Sequence, residues 1–182
     1  MGWVDQIPRA GRLYIGGLYA LYQTDLIQKA GITHVLSVID YDPGLESKEK
    51  FKSLGEGGLK GLWVDAADDP DTDLLAWFAR TGSFIREGLE GGGGVFVHCA
   101  MGKSRSATVV VAWLMEKLGV GWEEALRQVE EGRPLAVWER MLKEKHEAGR
   151  KGVYEEWERN RFRGTWWEWE KRVEDARLKA RL

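Results

Sequence analysis

The 182-residue sequence contains a single cysteine, Cys99, and three histidines. One thiol forbids an internal disulfide, and so few sulfur and imidazole ligands exclude a cysteine-rich zinc site. Neither sign of charge is in excess: 27 Lys and Arg against 29 Asp and Glu give a formal net charge of -2. The electrostatic pull typical of nucleic-acid or membrane-surface proteins is therefore missing. Long hydrophobic runs are missing as well. The longest, Ala107 to Met115, falls well short of the roughly 20 residues that cross a bilayer. Met1 to Ala10 has neither the charged nor the apolar region of a signal peptide, so the chain reads as intracellular. What is present, 43% hydrophobic and 31% charged residues, suits one ordinary globular domain able to bury about 70% of its unfolded surface.

Strand and helix patterns alternate along the chain. Arg12 to Ile15 reads as a strand ended by a turn at Gly16-Gly17, and Thr24 to Ala30 as a short helix stopped at Gly31. His34 to Ile39 is a nearly continuous β-branched run, expected of a strand covered on both faces. A helix around Ser47 to Leu54 and a strand at Leu62 to Val64 lead to an acidic loop, Asp65 to Asp73. Apolar residues at helical spacing from Leu74 to Leu89 precede a buried strand, Val95 to Val97, which runs straight into His98 and Cys99. Helices follow over Ala107 to Leu118, Trp122 to Glu131 and Leu135 to Ala148. This interleaving predicts an α/β fold with a central, mostly parallel sheet flanked by helices. The last segment differs: it is heavily charged, and Trp166, Trp169, Val173, Ala176 and Ala180 make one apolar seam along a helix. That seam is expected to dock on the chain's own catalytic domain, with a partner-binding helix as the alternative.

Chemistry is concentrated between Val95 and Thr108. A cysteine ends a buried strand, an arginine lies six positions later, and a helix begins at that arginine. A short loop between strand and helix can turn successive amides inward, and the helix N-terminus adds the positive end of its dipole. Such a loop, Ala100, Met101, Gly102, Lys103, Ser104 and Arg105, forms an anion cradle, with Gly102 supplying an unusual backbone conformation. Arg105 offers a planar fork matched to two phosphate oxygens. In that setting the Cys99 thiol should ionise below its usual value of about 8.5 and become a nucleophile. Ser106 can offer its hydroxyl to the sulfur, and His98 is expected to support the loop from behind. Gly102-Lys103-Ser104 also looks like the end of a nucleotide-binding loop, but that motif needs a glycine where Val97 stands.

Cleaving a phosphate ester further requires a proton donor for the leaving oxygen. Asp73 precedes a helix as a natural cap, and Pro70 suits a turn. Spacing leaves Asp65, Asp68 and Asp69 as contenders. Clustering of carboxylates favours keeping one of them protonated.

His98-Cys99-x-x-Gly102-x-Ser104-Arg105-Ser106 resembles the signature of the dual-specificity, cysteine-dependent protein phosphatases. The likeness extends over roughly residues 3 to 148. Ala67 to Leu75 resembles that family's general-acid loop, and the resemblance puts the acid on Asp68. Asp-x-Pro-x-Thr-Asp-Leu-Leu and Tyr154-x-x-Trp157 are similar to the branch containing mammalian dual-specificity phosphatase twelve and its fungal ribosome-maturation counterpart. The resemblance implies a catalytic domain over 1–148 and a Trp-rich helical extension over 149–182. It further implies a phosphocysteine mechanism using Cys99, Arg105 and Asp68, with no metal and no cofactor, acting on phosphotyrosine, phosphoserine and phosphothreonine in protein substrates. A pre-ribosomal partner and a cytoplasmic and nuclear location follow from the same branch. Its members carry a zinc domain after the phosphatase domain, so this chain would be the phosphatase portion. Lys103 in the cradle leaves a phosphoinositide substrate as the enzymatic alternative, and the Trp-rich helix leaves a non-catalytic assembly factor.

Overall fold

The computed structural model describes residues 4–45, 49–52, 54, 58–69 and 71–133. The helix expected at Leu135 to Ala148, the apolar seam beyond it and the boundary at 148 lie outside the described residues. Residues 1–68 and 72–135 group as one compact unit, and 69–71 with 136–182 as a second. In the second, the Asp69 carboxylate accepts the Asp71 amide at 2.8 Å, closing a small turn.

Five strands of the first unit form one sheet: β1 (Val4–Gln6), β2 (Leu13–Gly17), β3 (Ile32–Val38), β4 (Lys60–Val64) and β5 (Gly94–Cys99). Their spatial order is β1-β2-β5-β3-β4. β1 runs antiparallel to β2, and the other pairs are parallel. Between the strands run α1 (Leu18–Leu21), α2 (Thr24–Lys29), α3 (Glu49–Lys52) and α4 (Phe78–Glu90), and α5 (Arg105–Leu118) and α6 (Trp122–Gly132) follow β5.

β5 is buried along its whole length. Val95 and Val97 join one apolar cluster with Ile15, Leu36, Val110 and Leu114, whereas Phe96 joins another with Ile27, Val35 and Phe51. Alternation along the strand thus feeds two cores, which is why its sequence is apolar at consecutive positions. Each such side chain contributes about 1.5–3 kcal/mol by leaving water. The register sets Gly17 opposite Cys99 and Ser37 opposite His98, so the carboxyl ends of three parallel strands converge. β5 lies between β2 and β3 although it comes last in sequence, and such crossing points are where open α/β sheets bind ligands.

Three local features depart from the sequence reading. Gly16 and Gly17 belong to β2 rather than to a turn. Their lack of side chains serves close approach: a Cβ on Gly17 would sit 3.0 Å from the Ala100 carbonyl oxygen. β1 and α1 have no counterpart in the sequence pattern, being three and four residues long, too short to show a period. The helix expected from Leu74 opens as a 3-10 turn, Leu75–Trp77, before α4. Asp73 Oδ1 accepts the Ala76 amide at 3.2 Å, the capping bond its position suggested.

Candidate active site

Cys99 closes β5 and Arg105 opens α5, with Ala100 to Ser104 as the loop between them. The loop's conformation is fixed from outside. The Ala100 carbonyl accepts the Leu18 amide at 3.1 Å. The Met101 and Gly102 carbonyls accept from Arg133, at 2.9 Å from Nη2 and 2.7 Å from Nε. Because a trans peptide unit is planar with its C=O and N–H opposed, carbonyls held outward turn the following amides inward. The Gly102 amide accordingly donates to Cys99 Sγ at 3.1 Å. Gly102 has φ +72°, and a Cβ there would lie 2.3 Å from the Gly16 backbone, so both conformation and space require glycine.

Further donors reach the sulfur. The Ser106 hydroxyl lies 3.3 Å away, and the amides of Lys103 and Ser106 also point at it. α5 begins with no side-chain cap, which leaves first-turn amides free for such a role. Burial pushes the thiol up and is the largest single influence. The hydrogen bonds from the Ser106 hydroxyl and from the three amides together outweigh it and hold Cys99 below its ordinary value. That is the direction expected from the sequence, although the agents are hydrogen bonds at close range.

His98 is fully buried, stacked on Phe96, and bonded through Nε2 to Ser37 Oγ at 2.8 Å and through Nδ1 to the Cys99 carbonyl at 3.4 Å. Burial lowers its pKa to about 4, against a smaller opposing effect from the Cys99 carbonyl. The ring is neutral at pH 7, with Nδ1–H donating and Nε2 accepting from the serine. A depressed pKa means that between 6.5 and about 4 the unfolded chain binds the proton that the folded chain refuses. Stability from His98 is complete above pH 6.5 and lost as pH falls toward 4. This loss amounts to about 3 kcal/mol for a shift of this size. Urea titrations across that window should show wild type losing this much more stability than His98→Asn; equal losses would mean that His98 is protonated in the fold.

Arg105 is buried, and its Nη1 donates to the Ala66 carbonyl at 2.8 Å while its Nε stands 3.4 Å from Asp68 Oδ1. Among the described residues Nε is also a buried side-chain atom without a hydrogen-bond partner, an arrangement that costs about 1–3 kcal/mol unless an acceptor arrives. The acidic loop is thereby tied to the cradle through both Ala66 and Asp68, and the Thr72 hydroxyl braces it on the Ala67 carbonyl at 3.1 Å. Among the three contenders, Asp68 is half-exposed and within reach of Arg105, Asp69 caps its own turn, and Asp65 is exposed. Of the loop side chains, Met101 and Ser104 are exposed and Lys103 is half-buried.

Sequence reasoning missed Arg133, the Leu18 amide, the Ala66 carbonyl and Ser37. None belongs to a local motif; each is delivered by a distant segment.

A thiol held by inward amides between a parallel strand and a helix N-terminus, closed by a buried arginine, defines the class of cysteine-dependent phosphate-binding sites. The family model "Dual specificity phosphatase, catalytic domain" matches residues 13–145, and the chain belongs to that family. Human dual specificity protein phosphatase 22 is 36% identical over 152 residues, 80% of this chain and 75% of its own length. Rat dual specificity protein phosphatase 12 is 38% identical over 124 residues, which cover 68% of this chain and 35% of the relative. The matched region spans only 28% of a longer relative from Dictyostelium discoideum. Among solved structures, the Yvh1 phosphatase domain from Chaetomium thermophilum superposes with a TM-score of 0.63 at 34% identity, covering 73% of this chain and 86% of that one.

Proposed function

We propose that this chain hydrolyses phosphate monoesters on proteins, at tyrosine and at serine or threonine, through a phosphocysteine intermediate. The observation that carries the reading is the pairing of a buried thiol, held below its ordinary pKa by four hydrogen bonds, with a buried Arg105 whose Nε lacks a hydrogen bond among the described residues. Arg105 and the loop amides from Ala100 to Arg105 hold the equatorial oxygens of the phosphoryl group. Cys99 sulfur attacks phosphorus in line, the ester P–O bond breaks, and Asp68 delivers its proton to the departing oxygen. Asp68, now a carboxylate, takes a proton from the water that attacks phosphorus; a new P–O bond forms as the P–S bond breaks, releasing phosphate and the thiolate. Charge developing on the transferred group meets donors that are already oriented.

Asp68→Asn should lower kcat on an alkyl phosphate by about 10²-fold or more, and far less on an aryl ester whose leaving group needs no proton. Equal rates of wild type and variant on the alkyl ester would remove Asp68 from this role. The same assays run on phosphotyrosine and phosphothreonine peptides and on a soluble inositol phosphate test the substrate class; preference for the inositol phosphate would favour a phosphoinositide substrate. Likeness to rat dual specificity protein phosphatase 12 and to the Yvh1 domain supports placing the chain in that branch, where a pre-ribosomal partner and a cytoplasmic and nuclear location follow. Co-sedimentation of the full-length protein with large-subunit precursors tests that part. If a Cys99→Ser protein restored growth to cells lacking this protein, its essential role would be non-catalytic assembly.

A further inference from the structure

Arg133, at the end of α6, is buried and spends its guanidinium on three groups: the Gly102 carbonyl through Nε, the Met101 carbonyl through Nη2, and the Asp5 carboxylate of β1 through Nη1. The Met101 carbonyl shares a peptide unit with the Gly102 amide, and the Gly102 carbonyl shares one with the Lys103 amide. Those are two of the three amides that donate to Cys99 sulfur. One planar fork therefore grips the carbonyl ends of two peptide groups whose N–H ends face the nucleophile.

We propose that Arg133 is a positioning residue that makes the loop a thiolate cradle, by fixing and polarising the Met101–Gly102 and Gly102–Lys103 peptide groups from behind. Two effects combine. Holding a carbonyl outward holds its partner amide inward, because the peptide unit is rigid. A charged donor on the carbonyl oxygen also polarises the unit, strengthening what its N–H can donate by about 10–30% per bond. Lysine cannot substitute, since one ammonium on a flexible stem does not present a planar fork to two carbonyls and a carboxylate together. Asp5 offsets the cost of burying the cation, which gives the three-residue edge strand β1 a purpose beyond pairing with β2. Among the described residues, Arg105 and Lys103 on the cradle itself and Asp68 from the acidic loop also bring charge to the loop; His98 behind it is neutral.

This inference rests on the phosphatase reading for the meaning of a reactive thiolate, and the test separates the two. Cys99 is the only cysteine, so iodoacetamide alkylation followed by mass reports on it alone across pH 4 to 9. Arg133→Met should raise the midpoint of alkylation by about one pH unit and weaken inhibition by inorganic phosphate about tenfold. Arg133→Lys should move both in the same direction. If Arg133→Met does not fold, Arg133→Lys, which keeps a charge beside Asp5, decides. Folded variants that alkylate with the wild-type midpoint would reduce Arg133 to a structural tie and overturn the inference. A wild-type midpoint at an ordinary thiol value would instead overturn the phosphatase reading.

Discussion

Cys99→Ser should lower turnover by at least about 10⁴-fold, some 5.5 kcal/mol of lost transition-state stabilisation, while leaving phosphate binding intact or tighter. A serine can act as a nucleophile when a general base removes its proton. No such base stands on this sulfur in the described structure. Among the described residues, every group that hydrogen-bonds to it is a donor: the amides of Gly102, Lys103 and Ser106, and the Ser106 hydroxyl. The neighbouring imidazole of His98 is turned away, with Nδ1 on the Cys99 carbonyl and Nε2 on Ser37. The cradle therefore promotes ionisation of a thiol, but it offers nothing to deprotonate an alcohol. The same donors accommodate a serine oxygen, so the fold is kept. Replacing a thiolate by a neutral hydroxyl also removes its repulsion of a bound dianion. Steady-state kinetics together with calorimetric titration of inorganic phosphate or tungstate would check both halves. Residual activity above about 1% of wild type would sink the nucleophile assignment.

Arg105→Lys should cost about 10³-fold or more in kcat/KM, distributed between weaker phosphate binding and slower chemistry. Removing a single preorganised donor from a transition-state site costs about 10²–10³-fold, and in the proposed mechanism Arg105 has more to do than donate to the phosphoryl group. Its Nη1 holds the Ala66 carbonyl, and its Nε stands beside Asp68, so one guanidinium couples the phosphate cradle to the acid loop. A lysine would have to choose between them, and its compact ammonium would lose the two-pronged match to a tetrahedral oxyanion. Among the described residues the buried Nε has no hydrogen bond, so part of this donor capacity is left for an acceptor. Product inhibition by phosphate and kcat on an aryl ester, measured in parallel, separate the two losses. A variant within tenfold of wild type in both would show that the loop amides carry the site without Arg105.

The nucleophile loop was legible in the sequence because its parts are contiguous. Cys99, Gly102, Arg105 and Ser106 lie on one strand–loop–helix segment, and local backbone geometry suffices to bring them together. The apolar runs of β3 and β5 announced strands covered on both faces, since burial on both sides leaves no polar alternation. Asp68 was less legible. Spacing left it level with Asp65 and Asp69, family resemblance singled it out, and the packing of the acidic loop on α5 sets it beside Arg105.

Composition and local order alone determined the α/β class and the single thiol at a strand–loop–helix junction, because these depend on periodicity and on residues that are neighbours along the chain. Only the tertiary structure decided which distant groups hold the loop: Leu18 from α1, Ala66 from the acidic loop, Ser37 from β3, and Arg133 with its counterion Asp5 from opposite ends of the unit. A backbone carbonyl looks alike at every position, and an arginine after a helix looks like any surface charge. Their roles arise from the crossing order of the sheet, which no run of neighbouring residues encodes.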